Sequence, residues 1–149
     1  MKTVTALALA AALVAAAPFG AAARESACGL VSPTDVVAST GVAPTGPLRP
    51  RSYPHDPGSQ CYIPTTAGTI NAALYPNEGA RQMASIRAGY GVLETVHGIG
   101  DEAVYSKRYS TLAIRRGKST LMLSLASPDA AQNRRIVFAL GKRIAPKIR

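Results

Sequence analysis

The stretch YSTLAIRRGKSTLMLSLA, residues 109–126, decides the fold. Two runs, Tyr109 to Arg116 and Ser119 to Ala126, flank Gly117-Lys118, a two-residue turn with glycine first, as a type II′ hairpin prefers. If Arg116 faces Ser119, then Ile114 meets Leu121 and Leu112 meets Leu123 on one side. Arg115 with Thr120 and Ala113 with Met122 fall on the other. One aliphatic and one mixed face is the pattern of an antiparallel pair covered on one side.

On the C-terminal side, Ser127-Pro128-Asp129 reads as a helix start, with a capping serine, a proline in the first turn and a carboxylate near the free N–H groups. Along that helix Ile136, Val137, Leu140 and Ile144 line one side, and Arg134, Arg135, Lys142 and Arg149 project from the other. On the N-terminal side, Ser32-Pro33-Thr34-Asp35 starts another helix by the same logic, with Val36 and Val37 as its apolar face and Gly41 as its stop. The span 42–58 carries Pro44, Pro47, Pro50, Pro54 and Pro57, which forbids a helix or a central strand and predicts a long proline-rich loop. Strands are expected over Cys61 to Thr65 and Thr69 to Tyr75. A helix capped by Asn77 is expected through about Ala88, its stripe formed by Ala80, Met83, Ala84 and Arg87 and flanked by Ile86. Strands clustered together with helices between and after them predict a single α+β domain, an antiparallel sheet covered by helices, over residues 24–149.

Residues 1–23, MKTVTALALAAALVAAAPFGAAA, have the form of a secretory signal peptide: Lys2, an apolar run from Val4 to Ala17, and small residues Ala21 and Ala23 before the expected cleavage point. That run is shorter than the roughly 20 residues a spanning helix needs, and no later segment could span a membrane, so no transmembrane segment is expected in the mature chain. Glu25 and Arg24, at −3 and −4 from Cys28, do not fit a lipidation site. Export places Cys28 and Cys61 in an oxidising compartment, where two cysteines predict one disulfide. Closing that loop is worth roughly 3–4 kcal/mol on the chain-entropy estimate.

The succession of Cys28-Gly29-Leu30-Val31-Ser32-Pro33-Thr34-Asp35-Val36-Val37, Gly41, Cys61-Tyr62, Val96-His97-Gly98-Ile99-Gly100-Asp101-Glu102-Ala103 and the terminal hairpin and helix resembles a group of small exported cell-envelope domains of unknown function, common as lipoproteins in actinobacteria. The resemblance implies a fold similar to the PsbP-like fold, a central antiparallel sheet under helices, and a binding or accessory role rather than catalysis. No catalytic residues are established for that group, so the resemblance assigns none here.

Gly98-Ile99-Gly100-Asp101-Glu102-Ala103 matches the dinucleotide fingerprint on paper, but that motif needs a helix N-terminus behind the glycines. Ala103-Val104-Tyr105 instead continues as a strand, which leaves a tight turn as the reading. His97, Asp101 and Glu102 are candidate metal ligands or acid–base groups only if the turn aims them at one point, with His55-Asp56 folding back to complete the set. No cofactor and no metal site is expected.

The whole chain carries 17 Lys+Arg against 8 Asp+Glu. From Lys107 onward there are eleven basic residues and only Asp129. Lys107, Arg108, Arg115, Arg116, Arg134, Arg135, Phe138 and Lys142 are therefore the candidate partner-binding residues. A basic balance suggests nucleic acid, but a periplasmic or extracellular location favours an anionic envelope component or an acidic protein. The sequence thus predicts a soluble exported, non-catalytic binding or accessory protein. The alternatives are an inhibitor or immunity protein that blocks an exported toxin or hydrolase, and a hydrolase or metal-dependent enzyme around His97 and Asp101.

Overall fold

A computed structural model describes residues 25–149; the signal peptide expected over 1–23 lies outside the described residues. The elements are α1 (Ala27–Leu30), α2 (Pro33–Thr40), β1 (Arg49–Arg51), β2 (Ser59–Thr65), β3 (Gly68–Tyr75), α3 (Gly79–Gly89), β4 (Leu93–Val96), β5 (Glu102–Ser106), β6 (Thr111–Arg116), β7 (Ser119–Ala126) and α4 (Ala130–Ile144), followed by a 3-10 turn over Ala145–Lys147. The hairpin forms in the expected register, with Arg116 opposite Ser119, Ile114 opposite Leu121 and Leu112 opposite Leu123. Positive φ is confined to the first turn residue, Gly117 at +55°, as a type II′ turn requires. The first strand starts at Thr111 rather than Tyr109, because Ser110 takes a left-handed φ of +49°.

All strand pairings are antiparallel, in the order β1-β2-β3-β7-β6-β5-β4. The chain lays down three strands and crosses by α3 to the far edge. It then returns as a four-stranded meander whose last member, β7, pairs with β3. Leu112, Ile114, Leu121 and Leu123 point from the sheet to α4, which answers with Ile136, Val137, Leu140 and Ile144. These side chains are all but inaccessible to water. At about 25 cal/mol per Å² of apolar surface removed from water, this layer is the main source of stability. The disulfide Cys28–Cys61 ties α1 to β2, with the two Cα atoms 5.0 Å apart.

Helix α2 starts as expected. Ser32 Oγ accepts from Asp35 N, the Asp35 carboxylate accepts from Ser32 N, and Gly41 ends the helix in the left-handed conformation. Only Val36 of the expected apolar pair is buried, however. Val37 is exposed, and the buried neighbour is Asp35, which turns inward to meet α4.

Four other expectations are corrected. The cap of α3 is at Glu78 with no side-chain bond, because Asn77 adopts φ +61° in the turn leaving β3. Its buried stripe is Gly79, Met83 and Ile86, while Ala80, Ala84 and Arg87 face water. Burying Met and Ile removes more apolar surface than burying alanines, and Gly79 is fixed by donating to Lys118 O at 2.7 Å. The cap of α4 is Asp129, which accepts from Gln132 N, and Ser127 Oγ instead donates to Asn133 Oδ1. The proline-rich loop contains the edge strand β1. Its middle residue, Pro50, lacks the N–H that an added strand would need, so this edge is closed to further pairing.

The fourth correction concerns coverage. The mixed face of the hairpin is also covered, because Ala73, Val104, Ala113 and Met122 form a second apolar layer against Met83 and Ile86 of α3. Helix α3 packs on β6 and β7 and does not extend over β1 and β2. One face of the sheet is therefore fully roofed and the other only half. No helix among the described residues is long and apolar enough to cross a membrane.

Candidate functional site

Between the β4–β5 turn and the end of α4 lies a groove of about 250 Å³, lined by Gly98 to Asp101, Arg116, Lys142, Ala145 and Pro146. The turn is built from two left-handed glycines, Gly98 at φ +79° and Gly100 at φ +65°. Gly100 is also packed so tightly that a Cβ there would stand 2.6 Å from Arg115 O and 2.7 Å from Ile114 Cγ2. Ile99 points down into the core at 2% exposure and anchors the turn. Asp101 N donates to Arg115 O at 2.9 Å, and Asp101 Oδ2 accepts from Gly117 N at 2.7 Å, locking the turn to the hairpin tip. The fingerprint-like glycines thus form a turn leading into β5, as read from the sequence.

Arg116 Nη1 donates to Ala145 O at 2.9 Å, which holds the half-buried guanidinium against the groove wall while leaving other N–H groups uncommitted to protein partners. Lys142, one turn earlier on α4, is exposed and makes no ion pair among the described residues. The groove therefore presents two cations, backbone from a glycine turn, and one carboxylate already bonded to the hairpin. This arrangement can hold a small oxyanion by charge-assisted hydrogen bonds.

The remaining expected site residues are divided among other places. Strand alternation sends Arg115 to the opposite face from Arg116; there it pairs with Glu102, which also receives Arg87. Those two arginines, Arg87 foremost, lower the Glu102 carboxyl from its ordinary value. Arg134 grips Glu94 with Nη1 at 2.8 Å and Nη2 at 2.6 Å and lies over the rings of Tyr105 and Phe138, whose centroids are 5.3 Å apart. Phe138 is thus half-buried in an aromatic and guanidinium stack. Lys107 and Arg108 sit on the exposed β5–β6 turn, Arg108 over Tyr109, and Arg135 is exposed near the start of α4. Of the eight residues, the structure brings only Arg116 and Lys142 to one groove.

The other chemical candidates do not converge. His97 is exposed, Asp101 is spent on the hairpin turn and Glu102 on two arginines. Among the described residues no group of three or more His, Cys, Asp or Glu side chains is placed to hold a metal ion. The sequence reading missed the contribution of Ala145 and Pro146, which follow the expected helix. It also missed the Asp35–Arg143–Lys147 cluster, whose members are 108 and 112 residues apart in sequence. Local spacing holds no signal for either. The chain matches no family model, no curated protein and no solved structure.

Proposed function

We propose that the protein is an exported, non-catalytic binding or accessory module that uses the Arg116–Lys142 groove to hold an anionic group of an envelope component or of an acidic protein. One observation carries this reading: every described carboxylate already has a partner. Glu25 accepts from Arg149 N, Asp56 from Gly58 N, Asp129 from Gln132 N and Asp101 from Gly117 N; Asp35, Glu78, Glu94 and Glu102 are in ion pairs. Cations outnumber these carboxylates, so Arg116 and Lys142 stay without an ion pair among the described residues, and the two share a groove. The disulfide and the signal-like N-terminus support an exported location. A hydrolytic centre around His97 and Asp101 draws no support from a carboxylate bonded into a turn.

The test is capture from envelope extracts by the immobilised chain at several salt concentrations, with Arg116→Ala/Lys142→Ala alongside. Retention of a partner at low salt, its loss by about 0.5 M salt, and weaker capture by the double variant are expected. Lys142→Glu, at an exposed position, repeats the comparison without touching the Arg116 bond. Capture that is indifferent to salt or to both variants overturns the reading. Capture of one acidic enzyme together with loss of its activity would favour the inhibitor or immunity alternative.

A further inference from the structure

We infer that the unroofed half of the sheet, over β1, β2 and β3, is a second binding site, and that its ligand is an acidic saccharide. The register places the relevant side chains on one face. Arg49 is opposite Tyr62, Tyr62 opposite Asn71, and Asn71 opposite Ser124. In the flanking rows Pro64 pairs with Thr69, and Arg51 with Gln60. The apolar layer under α3 reaches Ala73 on β3 and no farther toward β1. Beyond it Arg49, Arg51, Tyr62, Pro64 and Thr69 line an open groove of about 230 Å³.

Two features of this groove point to a ligand. Arg49 and Arg51 are exposed, make no ion pair among the described residues, and stand two residues apart on one strand, about 7 Å. Arg51 lies 5.4 Å over the Tyr62 ring, so its fork is held in place rather than free in solvent. Against these two cations stands one carboxylate whose charge reaches Tyr53, that of Asp56, which accepts from Gly58 N. The site is thus built for negative charge.

The second feature is the flat, partly apolar ground beside these arginines. Tyr62 and Pro64 are half-buried, and Tyr53, 43% exposed, brings its phenol beside the Tyr62 hydroxyl and Arg51, which lower it from its ordinary value. Partly apolar ground beside hydrogen-bonding side chains suits a pyranose, which presents C–H groups on one side and hydroxyls around its rim. Carboxylate or phosphate substituents on that sugar then meet the two arginines. An acidic peptide added as a strand is disfavoured because Pro50 closes the β1 edge.

Isothermal titration of the full chain with hexagalacturonate, neutral maltohexaose and a single-stranded hexathymidylate separates the possibilities. Saturable binding of hexagalacturonate is expected, at least tenfold tighter than either comparison ligand. Arg49→Ala/Arg51→Ala should weaken it at least tenfold, and Arg116→Ala/Lys142→Ala should leave it unchanged. The inference is overturned if hexagalacturonate fails to bind, if the oligonucleotide binds as tightly, or if the Arg49/Arg51 variant binds like the wild type. Failure there leaves the Arg116–Lys142 groove untouched, since its test uses different residues.

Discussion

Replacing Asp35 with asparagine tests how the N-terminal helices are joined to the C-terminal one. Asp35 is 3% exposed and its carboxylate receives four hydrogen bonds: from Ser32 N at 3.1 Å, Ser32 Oγ at 2.7 Å, Arg143 Nε at 2.8 Å and Lys147 Nζ at 2.6 Å. Burial alone would raise this carboxyl, but the bonds from Lys147, Ser32 and Arg143 outweigh it and hold the group well below the usual carboxylate range. Removing one partner of a buried ion pair costs about 3–5 kcal/mol when the surviving charge is also buried. Here the survivors are 46% and 45% exposed, so water recovers part of their solvation. With that discount the expected loss at neutral pH is about 2–3 kcal/mol.

The pH dependence has a definite sign. The carboxyl titrates near about 3.9 in the unfolded chain and lower in the folded one. Its contribution is therefore complete well above that value and is lost as the pH falls toward the folded value, by about 1 kcal/mol at pH 3. Urea denaturation with the disulfide intact, at pH 7 and at pH 3, measures both quantities. The gap between wild type and Asp35→Asn should narrow by about 1 kcal/mol on acidification. A gap below about 0.5 kcal/mol at pH 7, or one that does not narrow, refutes the assignment of stability to this cluster.

Other substitutions probe the turn, the staple and the two apolar layers. Gly98→Ala meets nothing within 4 Å and should cost about 1 kcal/mol from its left-handed backbone, whereas Gly100→Ala adds a collision with Arg115 O and should cost clearly more in the same melts. Replacing both Cys28 and Cys61 with alanine should cost about 3–4 kcal/mol, read as a lower urea midpoint; an unchanged midpoint would mean the loop is constrained without the bridge. Leu123→Ala, in the layer under α4, should cost about 3–4 kcal/mol and Met83→Ala, in the smaller layer under α3, about 2 kcal/mol. The reverse order would contradict the assignment of the main core to the α4 side.

Features set by neighbours in the chain were legible in advance. A glycine-first turn between two alternating runs defines its own register, so Leu112 opposite Leu123 follows from Gly117-Lys118 alone. Ser32-Pro33-Thr34-Asp35 carries its cap within four residues, and two cysteines in a chain with a signal-like start have one way to pair. Where packing competes with a local solution, the sequence misleads. Local logic makes Ser127 the cap of α4, and packing, through Ser127 bonded to Asn133, moves the cap to Asp129. Likewise the expected stripe of α3 set Met83 with Ala80, Ala84 and Arg87, and the apolar layer beneath the helix takes Met83 with the flanking Ile86 instead.

The binding surfaces belong to a different order of information. Eleven cations from Lys107 onward suggest one basic surface when written in a line, but strand alternation sends Arg115 and Arg116 to opposite faces, and Glu94, forty residues upstream, claims Arg134. A strand hidden in a proline-rich loop and a helix too short to cover its sheet have no periodic signature. By itself the sequence determined the hairpin and its register, the α+β class and the disulfide, because each is fixed by neighbours in the chain or by elimination. Only the tertiary structure decided which cations stand free and which half of the sheet stays open, because those depend on pairings between residues tens of positions apart, whose partners compete until the whole chain has folded.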